Sequence, residues 1–155
     1  MTGFTVKVEG LAEVTRRLEL LPDRVGYRAL RRALRKGANV IKAAAVTNAK
    51  QIDDPETAEK IWKNIAVAGG GRKREKQAGG PMMRVGVRGG AKPTSGDNGT
   101  PGGNTTHWRF IEFGTSQARA QPFMRPAMNS AANGAFNAAA TAMVTELDKE
   151  LAKLP

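Results

Sequence analysis

The chain has 155 residues, no cysteine, and 25 Lys and Arg against 14 Asp and Glu, a formal net charge of +11. That length suits one domain able to bury about 68–70% of its unfolded surface, and the lack of cysteine excludes disulfides, zinc ribbons, iron–sulfur clusters and thiol nucleophiles. Aromatic residues make up only 5%, so a core must rest on Ala, Val, Ile, Leu and Met, and 18 Gly with 8 Pro call for extensive loops.

The opening Met1-Thr2-Gly3-Phe4-Thr5-Val6-Lys7 lacks the basic-then-apolar layout of a secretory signal. No run approaches the ~18 apolar residues of a membrane span. The expectation is a soluble, unexported chain with no membrane partner, in which Asn98-Gly99-Thr100 and Asn104-Thr105-Thr106 are turn residues rather than glycosylation sites.

Phe4, Val6 and Val8 alternate with polar neighbours and predict a first strand ended by Gly10. Leu11, Val14, Leu18 and Leu21 then recur at helical spacing until Pro22. Asp23 is placed to cap a long helix reaching about Lys50. Its apolar side carries Val25, Ala29, Leu30, Ala33, Leu34, Val40, Ile41 and Ala44, and its cationic side Arg28, Arg31, Arg32, Arg35 and Lys42.

Asp53-Asp54-Pro55-Glu56-Thr57 breaks that pattern, a short helical turn covers 58–62, and Ile65, Ala66 and Val67 start a second strand. Residues 69–81 read as a flexible, basic, glycine-rich loop bearing Arg72, Lys73, Arg74 and Lys76, and Met83, Val85 and Val87 as a third strand. A second flexible loop spans 88–106, where the near-absence of apolar residues leaves little burial to offset ordering entropy. Trp108, Phe110 and Glu112 alternate with Arg109, Ile111 and Phe113 as a fourth strand ended by Gly114. Pro122 or Pro126 opens a last helix along which Met128, Ala132, Ala135, Phe136, Ala139, Met143, Leu147 and Leu151 recur. The expected fold is a single α+β domain over residues 1–155. It has a small, mainly antiparallel sheet of about four strands, a long central helix and a long C-terminal helix.

Catalytic chemistry finds little support. The single histidine, His107, has no carboxylate at ligand spacing, and Asp53-Asp54 before a proline is ordinary turn and capping composition. Neither glycine-rich stretch contains a phosphate-loop motif, and no Gly-x-Ser-x-Gly elbow is present. No catalytic, cofactor-binding or metal-binding residue is assigned. Arg72, Lys73, Arg74 and Lys76, together with Arg84, Arg88 and Lys92, leave three readings open: nucleic acid, an acidic protein partner, or solubility. The cationic side of the long helix leaves the same three.

One stretch is more specific. His107-Trp108-Arg109-Phe110-Ile111-Glu112-Phe113-Gly114-Thr115-Ser116, followed by Pro122-Phe123-Met124-Arg125-Pro126-Ala127, resembles the neck or tail-completion family of long-tailed bacteriophages, the gene-product-ten-like proteins. Upstream, Gly10-Leu11, Leu21-Pro22 and the Ala-rich helix from Ala29 to Ala45 match that family in order. Two departures stand out. Residues 57–64 keep the spacing of the family's Thr-Gly-x-Leu-x-x-Ser but replace the Gly, Leu and Ser, and His107 stands near the place of a usual tyrosine.

The resemblance implies a non-enzymatic virion protein at the head–tail junction, made in the host bacterial cytoplasm. Such a protein would form a ring with copies of itself, a hexamer in the particle, complete the tail and permit head–tail joining. Neighbouring connector, terminator or tail-tube proteins are the implied partners, with non-specific contact to packaged DNA. The motif residues Trp108, Phe110, Glu112, Phe113, Gly114, Thr115, Pro122, Phe123 and Pro126 are then a structural or assembly element. Glu112 is suited to accept amide hydrogen bonds or to meet Arg109 or Arg125, and whether the motif only stabilises a corner stays open. A basic nucleic-acid-binding protein is the alternative function.

Overall fold

The computed structural model describes residues 11–89 and 99–154. Helix α1 (Leu11–Glu19) leads into α2 (Asp23–Gln51), which is followed by a short α3 (Ile61–Asn64). Strand β1 (Ile65–Gly69), helix α4 (Arg72–Gln77) and strand β2 (Met83–Val87) form one hairpin unit, and α5 (Trp108–Phe113) and α6 (Met124–Leu151) complete the chain.

Helices α2 and α6 share the most extensive interface in the molecule. Alanine and glycine make it close: Gly26, Ala29, Ala33, Gly37, Ala38, Ala45 and Ala49 are the buried residues of α2. The two core clusters show that the helices run antiparallel. Ala45 and Ala49 near the end of α2 pack with Phe123 and Ala127 at the start of α6, while Leu21 and Ala33 pack with Met143 and Leu147. Ion pairs reinforce the second cluster, from Arg17 of α1 to Asp148 at 2.7 Å and from Arg32 to both Glu146 and Glu150.

The hairpin lies across α2. Its strands are antiparallel, with Ile65 opposite Val87 at one end and Gly69 opposite Met83 at the other. Val85 and Val87, partly buried, pack against the first core cluster, so the valine face of β2 is the inward one.

The α+β class holds, but the sheet among the described residues has two strands rather than about four. The first expected strand, at residues 4–8, lies outside the described residues. The fourth, at 108–113, is a helix. Six residues with apolar side chains at four positions satisfy both periods. The helical one prevails because it turns Trp108, Ile111 and Glu112 inward at i, i+3 and i+4, leaving Phe110 and Phe113 outside.

Other boundaries also move. Pro22, not Asp23, occupies the N-cap of α2 and makes no side-chain cap bond; Asp23 opens the helix, where its charge still complements the helix dipole. The helical turn after the acidic stretch covers Ile61–Asn64 instead of 58–62. Within 69–81 the chain folds as α4, and beyond Gly99 the second expected loop is tied to the core.

Candidate functional site

The most elaborate local structure is the corner between α5 and α6. Glu112 is fully buried, at 1% exposure, among the least accessible charged side chains described. Its carboxylate faces the N-terminus of α6, where helical amides have no intrahelical acceptor. Phe123 N–H and Met124 N–H donate to Oε2 at 2.8 and 2.9 Å, and Arg125 N–H donates to Oε1 at 2.9 Å. Arg125 then folds back: its Nε donates to Oε1 at 3.2 Å and its Nη2 donates to the Glu112 carbonyl at 2.6 Å. A residue of one helix therefore caps the next helix across an intervening loop.

Burial pushes the Glu112 carboxyl upward, but the three amides and the Arg125 guanidinium outweigh it, leaving the group below the ordinary carboxylate range. Isolated burial of this charge would be costly; the amides and the cation offset that cost.

The loop that makes this possible is short and stiff. Gly114 ends α5 with φ 77°, and a Cβ there would stand 2.9 Å from Ala120 N and 3.0 Å from Ala118 O. Thr115 accepts from the Gln117 and Ala118 amides on its hydroxyl and donates its own N–H to Ala118 O, which closes the turn. Gln121 N–H donates to Ile111 O at 2.8 Å, and Phe123 enters the core with no exposed surface. Pro126 sits in the first turn of α6, where its missing N–H costs nothing; Pro122 stays exposed in the loop. Trp108 packs half-buried on the first cluster, whereas Phe110 and Phe113 are 59% and 62% exposed. The Arg125 guanidinium lies 5.1 Å from the centre of the Phe113 ring.

A second anchor was not singled out in the sequence. Asn64, fully buried at the end of α3, donates through Nδ2 to Thr100 Oγ1, Gly103 O and Thr105 Oγ1 at 3.0, 3.0 and 2.7 Å. Its Oδ1 accepts from Gly102 N–H at 2.8 Å. Gly102 comes so close to the Lys60 carbonyl that any Cβ would collide with it, and Lys60 N–H donates to Gly102 O at 2.7 Å. Residues 100–105 are thereby strapped to α3. A signal existed: Asn64 shares the inward face with Ile61 and Ile65, a polar residue at a core phase that needs partners.

The cations of the long helix and of residues 72–76 separate by their surroundings. Arg32 is exposed, as expected, but its charge is met across the helix pair by Glu146 and Glu150 of α6, and Arg31 lies 3.7 Å from Glu75. Lys42 is half-buried. Arg28, Arg35, Arg72, Lys73, Arg74 and Lys76 are exposed.

An apolar groove of about 540 Å³ between α2, β2 and α6 is lined by Leu34, Ile41, Met83, Val85, Met128 and Phe136. Among the described residues no cluster of His, Cys, Asp and Glu could hold a metal ion, and no helix is long and apolar enough to cross a membrane.

Carboxylate-braced corners, strapped loops, exposed aromatic residues and charged faces define a protein that presents surfaces. Residues 12–114 match the family model described as "Bacteriophage HK97-gp10, putative tail-component", and the chain belongs to this HK97-gp10-like family of phage tail components. It is thus of a virion-associated class. No curated protein and no solved structure matches the chain. The matched region ends at Gly114, so the helix that Glu112 caps lies beyond it.

Proposed function

We propose that this chain is a non-catalytic ring subunit of the phage head–tail junction, which completes the tail and permits the head to join. Membership of the HK97-gp10-like tail-component family carries the reading. The surface supports it: Phe110, Phe113, Met128 and Val144 are exposed at 43–62% on a chain charged at +11, the condition of a subunit whose contacts lie outside itself.

In this account the folded body is built before assembly. The corner at Glu112 and the strap at Asn64 hold surface segments in fixed places, so little ordering entropy opposes docking. Its partners are further copies of the chain, six in the particle, and the adjoining connector, terminator or tail-tube rings. DNA passing through the ring would meet the exposed cations without sequence preference.

Immunogold labelling of purified virions tests the location. The account expects label at the head–tail junction. Label along the tube, at the distal tip, or absent from particles would refute it.

A further inference from the structure

We infer that copies of this chain join head to tail, the cationic tip of the β1–β2 hairpin in one copy seating on the acidic connection between α2 and α3 of the next. The inference rests on the ring reading above and names the surfaces that close the ring.

The tip is fixed and purely cationic on its outside. Tyr27 Oη donates to Glu75 Oε2 at 2.7 Å and Arg31 lies 3.7 Å from Oε1, so the only carboxylate of α4 is turned inward against α2. Gly70 N–H donates to Met82 O at 2.8 Å and closes the base of the tip. Arg72, Lys73, Arg74 and Lys76 are left exposed, with no ion pair among the described residues.

The opposite end carries the opposite sign. After α2 the chain runs through Asp53, Asp54, Glu56 and Glu59. Asp53 is paired with Lys60 at 3.0 Å, but Asp54, Glu56 and Glu59 have no ion pair among the described residues. The other dense acidic run, Glu146, Asp148 and Glu150, is taken up inside the subunit by Arg17, Arg32, Lys149 and Lys153. The connection is held in place: Lys60 Nζ donates to Asp54 O at 2.8 Å, and Gly103 of the strap lies against Glu59.

These ends are far apart. The tip is latched at Tyr27 and the acidic connection follows Gln51 on the same helix, a rise of about 36 Å. Two different patches on one rigid body cannot satisfy each other within a subunit. They generate a heterologous contact, which closes into a ring when the rotation allows. Charge pairs contribute orientation and rate more than affinity. Near the acidic end the strap leads directly into α5, whose exposed Phe110 and Phe113 supply apolar area for the same contact.

The test uses the purified full chain, with oligomer mass read by analytical ultracentrifugation at low and high salt. Expected are closed oligomers that loosen as salt screens the contact. Arg72→Glu/Lys73→Glu/Arg74→Glu and Glu56→Lys/Glu59→Lys should each weaken assembly roughly tenfold or more alone. An equimolar mixture should restore it, because each reversed end then meets a reversed end and the unaltered ends meet each other. All these side chains are solvent-facing or half-exposed, and unchanged circular dichroism establishes that the variants fold.

Closed oligomers indifferent to both reversals would overturn the assigned surfaces while leaving the ring reading intact. A wild-type chain that stays monomeric at every concentration and salt would overturn both. Variants that fail alone and fail mixed would overturn the pairing of these two ends with each other, each then meeting a different surface of the neighbouring copy.

Discussion

Glu112 and Phe123 are joined by a 2.8 Å hydrogen bond from the buried Phe123 amide to the Glu112 carboxylate, and through it the C-terminal turn of α5 caps α6. The same side chain serves two further amides and a guanidinium, so the geometry of the corner depends on one residue.

Removing that carboxylate should therefore cost far more than removing its cation. Glu112→Ala strands buried amides and empties a core position, with an expected loss of about 3–5 kcal/mol. Arg125→Ala leaves the amide bonds intact, and Arg125 is 56% exposed, so an expected loss under about 1 kcal/mol follows. Chemical denaturation of the two variants gives the ranking; equal losses would contradict it.

The same carboxylate has a pH signature. Its folded value lies below that of the unfolded chain, so its contribution is fully present above the unfolded carboxylate value of about 4.3 and fades as pH falls through the folded value. Glu112→Gln should therefore be clearly less stable than wild type at neutral pH, with the gap closing in acid. Melting temperatures from pH 7 to pH 3 check this, and a constant gap would remove the charge from the explanation.

Asn64 is the only described residue that bonds Thr100, Gly102, Gly103 and Thr105 together through one side chain. Asn64→Asp keeps the shape but loses the donors, and should cost about 2–4 kcal/mol. Hydrogen exchange should accelerate selectively across 99–106 in this variant. Uniform change over the molecule would mean that the strap has no local role.

Two glycines should behave alike for different reasons. Gly102→Ala meets the Lys60 carbonyl, and Gly114→Ala forces a side chain into positive φ while crowding Ala118 and Ala120. Each should cost about 1–3 kcal/mol. Gly86→Ala, where a Cβ meets nothing within 4 Å, is the control and should be near neutral.

The two long helices were legible because their runs of 29 and 28 residues leave no alternative to a helical period. Asp23–Gln51 repeats an apolar stripe over many turns, Met124–Leu151 is an uninterrupted Ala-rich run of helix formers, and Met83, Val85 and Val87 alternate in sequence with Arg84 and Gly86. Trp108–Phe113 was misread as a strand because six residues cannot separate a period of two from one of 3.6, and its decisive feature, a buried glutamate four residues after the inward Trp108, depends on the amide of Phe123 eleven residues further on. The pairing of the exposed Arg32 was not legible because its partners, Glu146 and Glu150, are remote in sequence. The Glu-Phe-Gly-Thr and Pro-Phe-x-x-Pro spacing carried the resemblance, while the family match itself covers residues 12–114 and stops before the second motif; the capping bonds between the two are visible only once α5 and α6 meet.

The most direct test of the head–tail junction role is electron microscopy of lysates from the parent phage with this gene disrupted. The account predicts filled heads and finished tail tubes accumulating as separate objects, restored to joined particles by the wild-type chain supplied in trans. Intact, infectious virions without the gene product would contradict it.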